Sequence, residues 1–172
     1  MSALTRPAIA EVWRWLAEIP DPEVPAISIV DLGIVREVRE EFAAGEAVTI
    51  VTITPTYSGC PAMDMIAQQI DEKLRERGVD NLRLETRLSP PWTTGWMSAR
   101  GREQLREYGI APPSGQAGVV TFHRKAQPDP VVQCPRCASA NTECISEFGS
   151  TACKAQYRCR DCLEPFDYFK SI

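Results

Sequence analysis

The chain has 172 residues, of which 44% are hydrophobic and 24% charged, with a formal net charge of −4 at pH 7. This composition is typical of a globular protein, and no apolar run approaches the roughly 20 residues that a membrane-spanning helix needs. The acidic balance disfavours nucleic acid as a partner, because phosphate binding depends on excess lysine and arginine. The first seven residues contain one basic residue and no apolar core, so we expect no signal peptide and a cytoplasmic protein.

The first elements in chain order are a helix and a β-hairpin. Apolar residues recur at spacings of three and four over residues 7–19, which predicts an amphipathic helix that Pro20 ends. The β-branched and apolar content of Ser28 to Arg39 predicts a strand. Val48 to Thr54 predicts a second strand that follows it in a hairpin.

Three carboxylates surround the turn before the first predicted strand. Asp21 and Glu23 flank Pro22, and Asp31 follows eight residues after Glu23. They could ligate a metal ion or assist a nearby nucleophile. Aspartate in such turns more often caps backbone N–H groups, so the sequence favours the structural role.

Cys60 ends the loop Thr54–Pro61, directly before a second predicted helix that Gly78 closes. Pro61 suits the first helical position, since its missing N–H is one that a helix leaves unpaired, so we expect Cys60 to be the N-cap. There the helix dipole and free N–H groups favour thiolate, and hence nucleophilic or soft-metal chemistry. The alternative is a buried cysteine that acts as a small hydrophobic side chain.

A third strand over residues 82–88 and a last helix that Ser98 caps complete the first domain. The loop between them carries Trp92 and Trp96. Large aromatic side chains on a loop are candidates for a partner-binding surface, although both could simply cover the end of the core.

This order of elements predicts an α+β fold. We expect a small two-layer α/β domain over residues 1–108, with helices on one face of a mixed three- to four-stranded sheet. Residues 109–130 are rich in proline and glycine and are expected to form a connector, within which residues 119–122 could form a short strand. Residues 131–172 would then form a separate module.

Two CxxC motifs dominate that module, Cys134-Pro-Arg-Cys137 and Cys159-Arg-Asp-Cys162. Each CxxC turn brings two sulfurs to one edge of a tetrahedron, so the pair predicts a structural zinc ribbon. Four thiolates also suit an iron–sulfur centre. Cys144 and Cys153 lie between the motifs, and Cys153 is a candidate extra thiol ligand.

Self-sufficient catalysis is not expected. His123 is the only histidine, which nearly excludes a histidine metal site or a Ser-His-Asp triad. The glycine-rich phosphate loops GxGxxG and GxxxxGKS/T do not occur. We therefore expect a non-catalytic protein.

The segments Asp21–Val35 and Thr54–Pro61 resemble the MIP18 (DUF59) family of iron–sulfur assembly proteins. The Pro90–Met97 segment and the four-cysteine tail resemble the branch of accessory proteins that serves phenylacetyl-CoA 1,2-epoxidases, multicomponent oxygenases of aerobic phenylacetate degradation. The resemblance implies that Cys60 helps to hold or transfer iron–sulfur clusters, with Asp21 and Glu23 in an acidic loop beside it.

For this branch the resemblance implies an accessory that matures the oxygenase, with its flavin and 2Fe–2S reductase component as the expected client. A transient iron–sulfur cluster would then be a second cofactor besides zinc. The alternative is a structural adaptor, in which the ribbon and the Trp92 and Trp96 loop dock onto epoxidase subunits without handling iron. A homodimer is also considered, whereas nucleic acid and membranes are not expected partners.

Overall fold

The computed structural model describes residues 7–43, 45–113 and 131–170. The chain divides into two compact units, residues 1–92 and 93–172. The strand predicted at residues 119–122 lies outside the described residues. Among the helices of the described ranges, none has both the length and the apolar character that crossing a membrane requires.

The first unit contains two helices and three strands: α1 (Ile9–Leu16), β1 (Val35–Ala43), β2 (Glu46–Ile53), α2 (Ala62–Glu76) and β3 (Leu82–Thr86). β2 is central, antiparallel to β1 and parallel to β3. α1 contacts α2 and β1, and α2 contacts β3, so the helices form a second layer on the sheet. The predicted α+β fold class, with its mixed sheet, is confirmed.

The two helices bury the apolar stripes that the sequence periodicity predicts. The members that are fully or almost fully buried are Val12, Leu16, Ile66, Ile70 and Leu74, whereas Ile9 at the start of α1 is 41% exposed. Burial of an aliphatic side chain of this size stabilises a fold by about 1.5–3 kcal/mol, so this layer is a principal source of stability for the unit.

The first strand begins later than predicted. Residues 28–33 form turns, in which the N–H of Leu32 donates to the carbonyl of Ser28 at 2.8 Å. Gly33 has a φ of 81°, a left-handed conformation that ends the turn before β1 starts at Val35. Ile29 and Leu32 are nevertheless buried. An apolar run that is buried as a turn gives the same pattern as a buried strand, which is why the predicted start at Ser28 was wrong.

The second unit contains a 3₁₀ turn (Thr94–Trp96), α3 (Ala99–Tyr108), β4 (Ile110–Ala111), β5 (Thr142–Ser146), β6 (Lys154–Cys159) and β7 (Pro165–Phe169). The strands form one sheet in the order β4-β7-β6-β5, in which β5, β6 and β7 are antiparallel and β4 is parallel to β7. Ser98 caps α3 as predicted, because its Oγ accepts a hydrogen bond from the N–H of Gly101 at 2.8 Å.

The bounds of the two units differ from the predicted domains. We expected α3 to belong to the first domain and a connector to begin at residue 109. Instead β4 follows α3 after the single residue Gly109 and pairs with β7, a strand of the four-cysteine module. A pairing across more than fifty residues of sequence places α3 and β4 in the second unit.

Trp92 belongs to the core of the first unit. Its side chain is 2% exposed, and its indole Nε1–H donates to the carbonyl of Leu32 at 3.1 Å. This indole therefore offers almost no surface to a partner.

We expect Trp92→Ala to lower the free energy of unfolding by about 3–5 kcal/mol, because it leaves a large cavity and an unpaired carbonyl. Leu88→Ala is the control, since Leu88 is 62% exposed, and should change stability by no more than about 0.5 kcal/mol. Urea titration followed by far-UV circular dichroism measures both. Equal stability of the two variants would contradict the burial of Trp92.

Candidate metal centre and cysteine loop

Two turns of the second unit bring four cysteine sulfurs together. The Sγ atoms of Cys134, Cys137, Cys159 and Cys162 all lie within 4.8 Å of one another. The Cys134–Cys162 pair is separated by 3.7 Å and the Cys137–Cys159 pair by 3.6 Å. Zn–S bonds of about 2.3 Å place the sulfurs of a tetrahedral zinc site about 3.8 Å apart. The donor set and its spacing therefore fit one zinc ion.

A two-iron cluster fits this spacing less well. The four ligands of such a cluster divide between two irons, which separates the two ligand pairs. Here all four sulfurs lie within 4.8 Å of one another, so no two ligand pairs are separated as a two-iron cluster requires. This arrangement suits a single tetrahedral ion.

Both CxxC turns have the same backbone hydrogen bonds. The N–H of Cys134 donates to the carbonyl of Ser139 at 2.9 Å, and the N–H of Cys159 donates to the carbonyl of Glu164 at 3.0 Å. N–H groups within the turns also point at sulfur, as that of Arg136 does toward Cys134 Sγ at 3.4 Å. Such contacts stabilise thiolate and reduce the repulsion among four anionic ligands.

The thiols of this group differ in acidity. Hydrogen bonds from the backbone N–H groups of Cys162 and Asp161 lower the pKa of Cys159 to about 7, against the effect of burial. The backbone N–H of Ser139 acts to lower the pKa of Cys137, but burial and the neighbouring sulfurs outweigh it and raise the value to about 12. Zinc requires thiolates, so we expect metal binding to release protons near neutral pH.

The residue after each CxxC motif has a left-handed backbone. Ala138 has a φ of 60° and Leu163 a φ of 65°. This conformation is unfavourable by roughly 1–2 kcal/mol for a residue with a Cβ atom, and glycine adopts it freely. Both turns therefore carry backbone strain at equivalent positions.

Asp161 links the two turns. Its carboxylate accepts hydrogen bonds from Ser139 Oγ and, at 2.7 Å, from Asn141 Nδ2. These bonds lower the pKa of Asp161, with the Ser139 bond as the largest cause. Sequence reasoning did not single out Asp161, and its only signal was its place inside the second CxxC motif.

The two additional cysteines lie outside the four-sulfur group. Cys153 is 2% exposed and its sulfur lies 3.0 Å from Thr151 Oγ1. Cys144 is exposed on β5. The structure thus gives Cys153 a hydroxyl neighbour and does not bring it to the other four sulfurs.

Cys60 lies one residue before the N-cap of α2. The N-cap is Pro61 and the helix begins at Ala62, so the prediction of Cys60 as the N-cap was wrong. The carbonyl of Cys60 accepts from the N–H of Met63 at 3.3 Å, and the backbone N–H of Ala62 hydrogen-bonds the Cys60 sulfur. The thiol therefore still lies at the N-terminal end of α2, although the residue itself is one position before the N-cap.

The pKa of the Cys60 thiol is raised, opposite to the predicted direction. Burial is the largest cause, and the carboxylates of Glu23 and Asp21 add to it. The N–H of Ala62 and the Tyr57 side chain act to lower the pKa but do not outweigh these effects. Cys60 is therefore a neutral thiol at neutral pH, with the two predicted carboxylates as electrostatic neighbours.

Asp21 also shapes the acidic loop. It is 5% exposed, and its Oδ1 accepts from the N–H groups of Glu23 at 3.0 Å and Val24 at 2.8 Å. Asp31 accepts from Ser28 Oγ at 3.0 Å. These contacts agree with the structural role that the sequence favours for aspartate in turns.

Trp96 lies in the 3₁₀ turn of the second unit and is half-buried. The side chain of Arg102 from α3 donates to the carbonyl of Thr94 in the same turn. Of the two predicted partner-binding tryptophans, Trp96 is thus the more accessible.

Comparison with known proteins gives two family matches. Residues 9–80 match the family model described as "Iron-sulfur cluster assembly protein". Residues 120–170 match the model described as "PaaD zinc beta ribbon domain". The two models cover the Cys60 loop and the four-cysteine group, respectively.

Individual relatives agree with this division. A protein of Escherichia coli, provisionally named as the D-type subunit of 1,2-phenylacetyl-CoA epoxidase, is 48% identical over 172 residues, covering 100% of this chain and 98% of the relative. A Porphyromonas gingivalis protein named "Fe-S protein maturation auxiliary factor" is 31% identical over 96 residues, or 55% of this chain and 88% of the relative. A crystal structure of a DUF59 domain from Bacillus anthracis superposes with a TM-score of 0.51 at 25% identity, covering 56% of this chain and 90% of that one.

Leu163→Gly should strengthen metal binding, because glycine removes the strain at a φ of 65°. We expect a gain of about 0.5–1 kcal/mol, or a two- to fivefold higher zinc affinity in competition with a chromophoric chelator. Leu163→Ala retains the Cβ atom and should show no such gain. Equal affinities for the glycine and alanine variants would contradict strain at this turn.

The raised pKa of Cys60 can be measured by its reaction with iodoacetamide. In the zinc-loaded protein, peptide mass spectrometry should give a pH midpoint for Cys60 above the value of about 8.5 for an ordinary thiol. Glu23→Gln removes a neighbouring negative charge, so the midpoint should fall and the rate at pH 7.5 should rise. Glu76→Gln, an exposed change on α2, should leave it unmoved, and a similar shift in both variants would refute the assigned cause.

Proposed function

We propose that this chain assists iron–sulfur cluster assembly for a phenylacetyl-CoA epoxidase system. It belongs to the family of the full-length Escherichia coli relative, and it combines a DUF59-type iron–sulfur assembly domain with a zinc ribbon. The sequence-based resemblance to this family is confirmed. One observation carries the proposal: the assembly domain presents Cys60 in a loop beside the carboxylates of Asp21 and Glu23. In this role the protein is an accessory without a reaction of its own.

The environment of Cys60 suits transient ligation. A thiol with a raised pKa must lose its proton before it binds iron, so its complex is weaker than that of a preformed thiolate. The nearby carboxylates of Glu23 and Asp21 favour a cationic metal centre over a free thiolate. The carboxylates thus favour the initial binding of a cluster, whereas the raised pKa favours handing it to another protein over storing it.

The four-cysteine group has a different role in this proposal. Its short sulfur–sulfur distances and backbone N–H contacts suit permanent occupation by zinc, which stabilises the turns. Zinc at the ribbon and an iron–sulfur cluster at Cys60 would then be two separate cofactors, one structural and one transient.

The proposed client is the flavin and 2Fe–2S reductase component of the oxygenase. Oxygen activation requires electrons that redox cofactors of such components carry. The name of the full-length relative, that of an epoxidase component, supports an oxygenase system as the setting. Other epoxidase subunits are further candidate partners.

A structural adaptor is the second candidate function. Among the described residues of the second unit, the large hydrophobic side chains that are more than half exposed include Ile145, Phe148 and Leu163. Exposed apolar side chains of this size favour contact with another protein. In this alternative the ribbon and Trp96 would dock onto epoxidase subunits, and Cys60 would handle no iron.

Anaerobic reconstitution of the apo reductase tests the two roles. We expect the wild-type protein to raise cluster loading, measured by visible absorption and by iron and sulfide content, and Cys60→Ala to abolish the increase. Cys144→Ala is the matched control, because Cys144 lies outside both the Cys60 loop and the four-sulfur group. Zinc content should stay unchanged in both variants.

Equal loading by wild type and Cys60→Ala would contradict assembly through Cys60. If Cys60→Ala still co-purifies with the oxygenase subunits and restores full epoxidase activity in cells, the adaptor function is correct instead.

A further inference from the structure

The strand that follows α3 is part of the core around the metal centre. β4 pairs in parallel with β7 of the four-cysteine module. Ala111 of β4 is 1% exposed and belongs to the same buried cluster as Cys134 and Cys159. Two metal-ligand cysteines and β4 are therefore held by shared packing.

Arg136 connects the first CxxC turn to the end of α3. Gly109 ends α3 with a φ of 92° and leads directly into β4. The guanidinium Nη2 of Arg136 lies 3.8 Å from the point where a Cβ atom on Gly109 would stand. A cation at the C-terminus of a helix is favoured by the helix dipole. The side chain of Arg136 from the first CxxC turn thus lies beside the junction between α3 and β4.

Arg102 extends this connection to both ends of the segment. From α3 it donates to the carbonyl of Thr94 in the 3₁₀ turn and, at 3.0 Å, to the carbonyl of Pro113 beyond β4. The 3₁₀ turn that contains Trp96 is therefore tied to α3 and to the chain after β4.

Within the described residues, the module that anchors this segment is only about forty residues long, and its buried cluster includes two of the cysteines, Cys134 and Cys159. Modules of this size rarely hold a fold without a metal ion or disulfides, and the cysteines here are free thiols. Metal binding in such modules is coupled to folding, because the ligating turns do not persist alone. When the turns open, β4 loses the core on which it packs.

We propose that metal binding at the four cysteines controls the order of residues 94–113, so that α3 and the Trp96 turn form their folded surface only in the metal-loaded protein. The four-cysteine module and α3 then respond to metal as one unit. This inference goes beyond the accessory role, because it makes zinc supply a regulator of the segment that carries Trp96. It depends on no property of Cys60.

Hydrogen–deuterium exchange on the full chain tests the proposal, with the zinc-loaded protein compared with protein stripped by a chelator and verified by metal analysis. Removal of zinc should speed amide exchange in α3 by about tenfold or more, together with that of β5 to β7. Exchange in α2 of the first unit is the internal control and should change less than about twofold. Restoring zinc should reverse the effect.

Two outcomes would overturn the proposal. Faster exchange in β5 to β7 with no change in α3 would show that the ribbon folds independently of residues 94–113. An equal increase in α2 would show that zinc supports the entire chain without a specific connection to α3.

Arg136→Ala tests the contact itself in the zinc-loaded protein. We expect α3 exchange to rise about threefold or more while the zinc content stays at one equivalent. Arg160→Ala is the matched control, since Arg160 also lies inside a CxxC motif but pairs with Glu143. Equal effects of the two variants on α3 would contradict a specific role for Arg136.

Discussion

The second unit depends on how four thiolates can share a space less than 5 Å across. Unscreened, their mutual repulsion opposes the approach of two turns that are twenty-one residues apart in sequence. Backbone N–H groups reduce this repulsion, and they lower the pKa of Cys159 to about 7, but the pKa of about 12 at Cys137 shows that they do not remove it. A divalent cation removes the remaining repulsion among the thiolates. The second unit therefore forms around a positive charge that the chain itself does not supply, and this holds for the β5–β6–β7 sheet, the Asp161 hydrogen bonds and the strained turns.

The two cysteine sites differ because their surroundings differ. The four-cysteine group is backed by N–H donors, which favour thiolate and permanent metal binding. Cys60 is partly buried and lies near carboxylates, and both conditions favour the neutral thiol. The two sites therefore differ in thiol acidity, and the cysteines alone do not reveal this difference in the sequence.

Local patterns predicted much of this structure. The CxxC spacing identified the four cysteines whose sulfurs come together, and the apolar periodicity and Ser98 identified helices α2 and α3. The errors concern features set by contacts distant in sequence. The raised pKa of Cys60 comes first from burial and then from Glu23, thirty-seven residues away. The placement of α3 depends on a two-residue strand too short to leave a periodic signal. The apolar run before Val35 is buried in turns, and its apolar content alone did not distinguish turns from a strand.

The pairing of β4 with β7 connects the zinc ribbon to structure outside the ribbon itself. A ribbon that closes only on itself would contribute stability and a surface, and its loss would affect nothing else. Here the ribbon sheet includes a strand joined through one glycine to α3, and an arginine of the first CxxC turn lies beside that glycine. Folding free energy supplied by the metal therefore reaches a helix that carries no ligand, because strand pairing and side-chain packing distribute it through the whole unit.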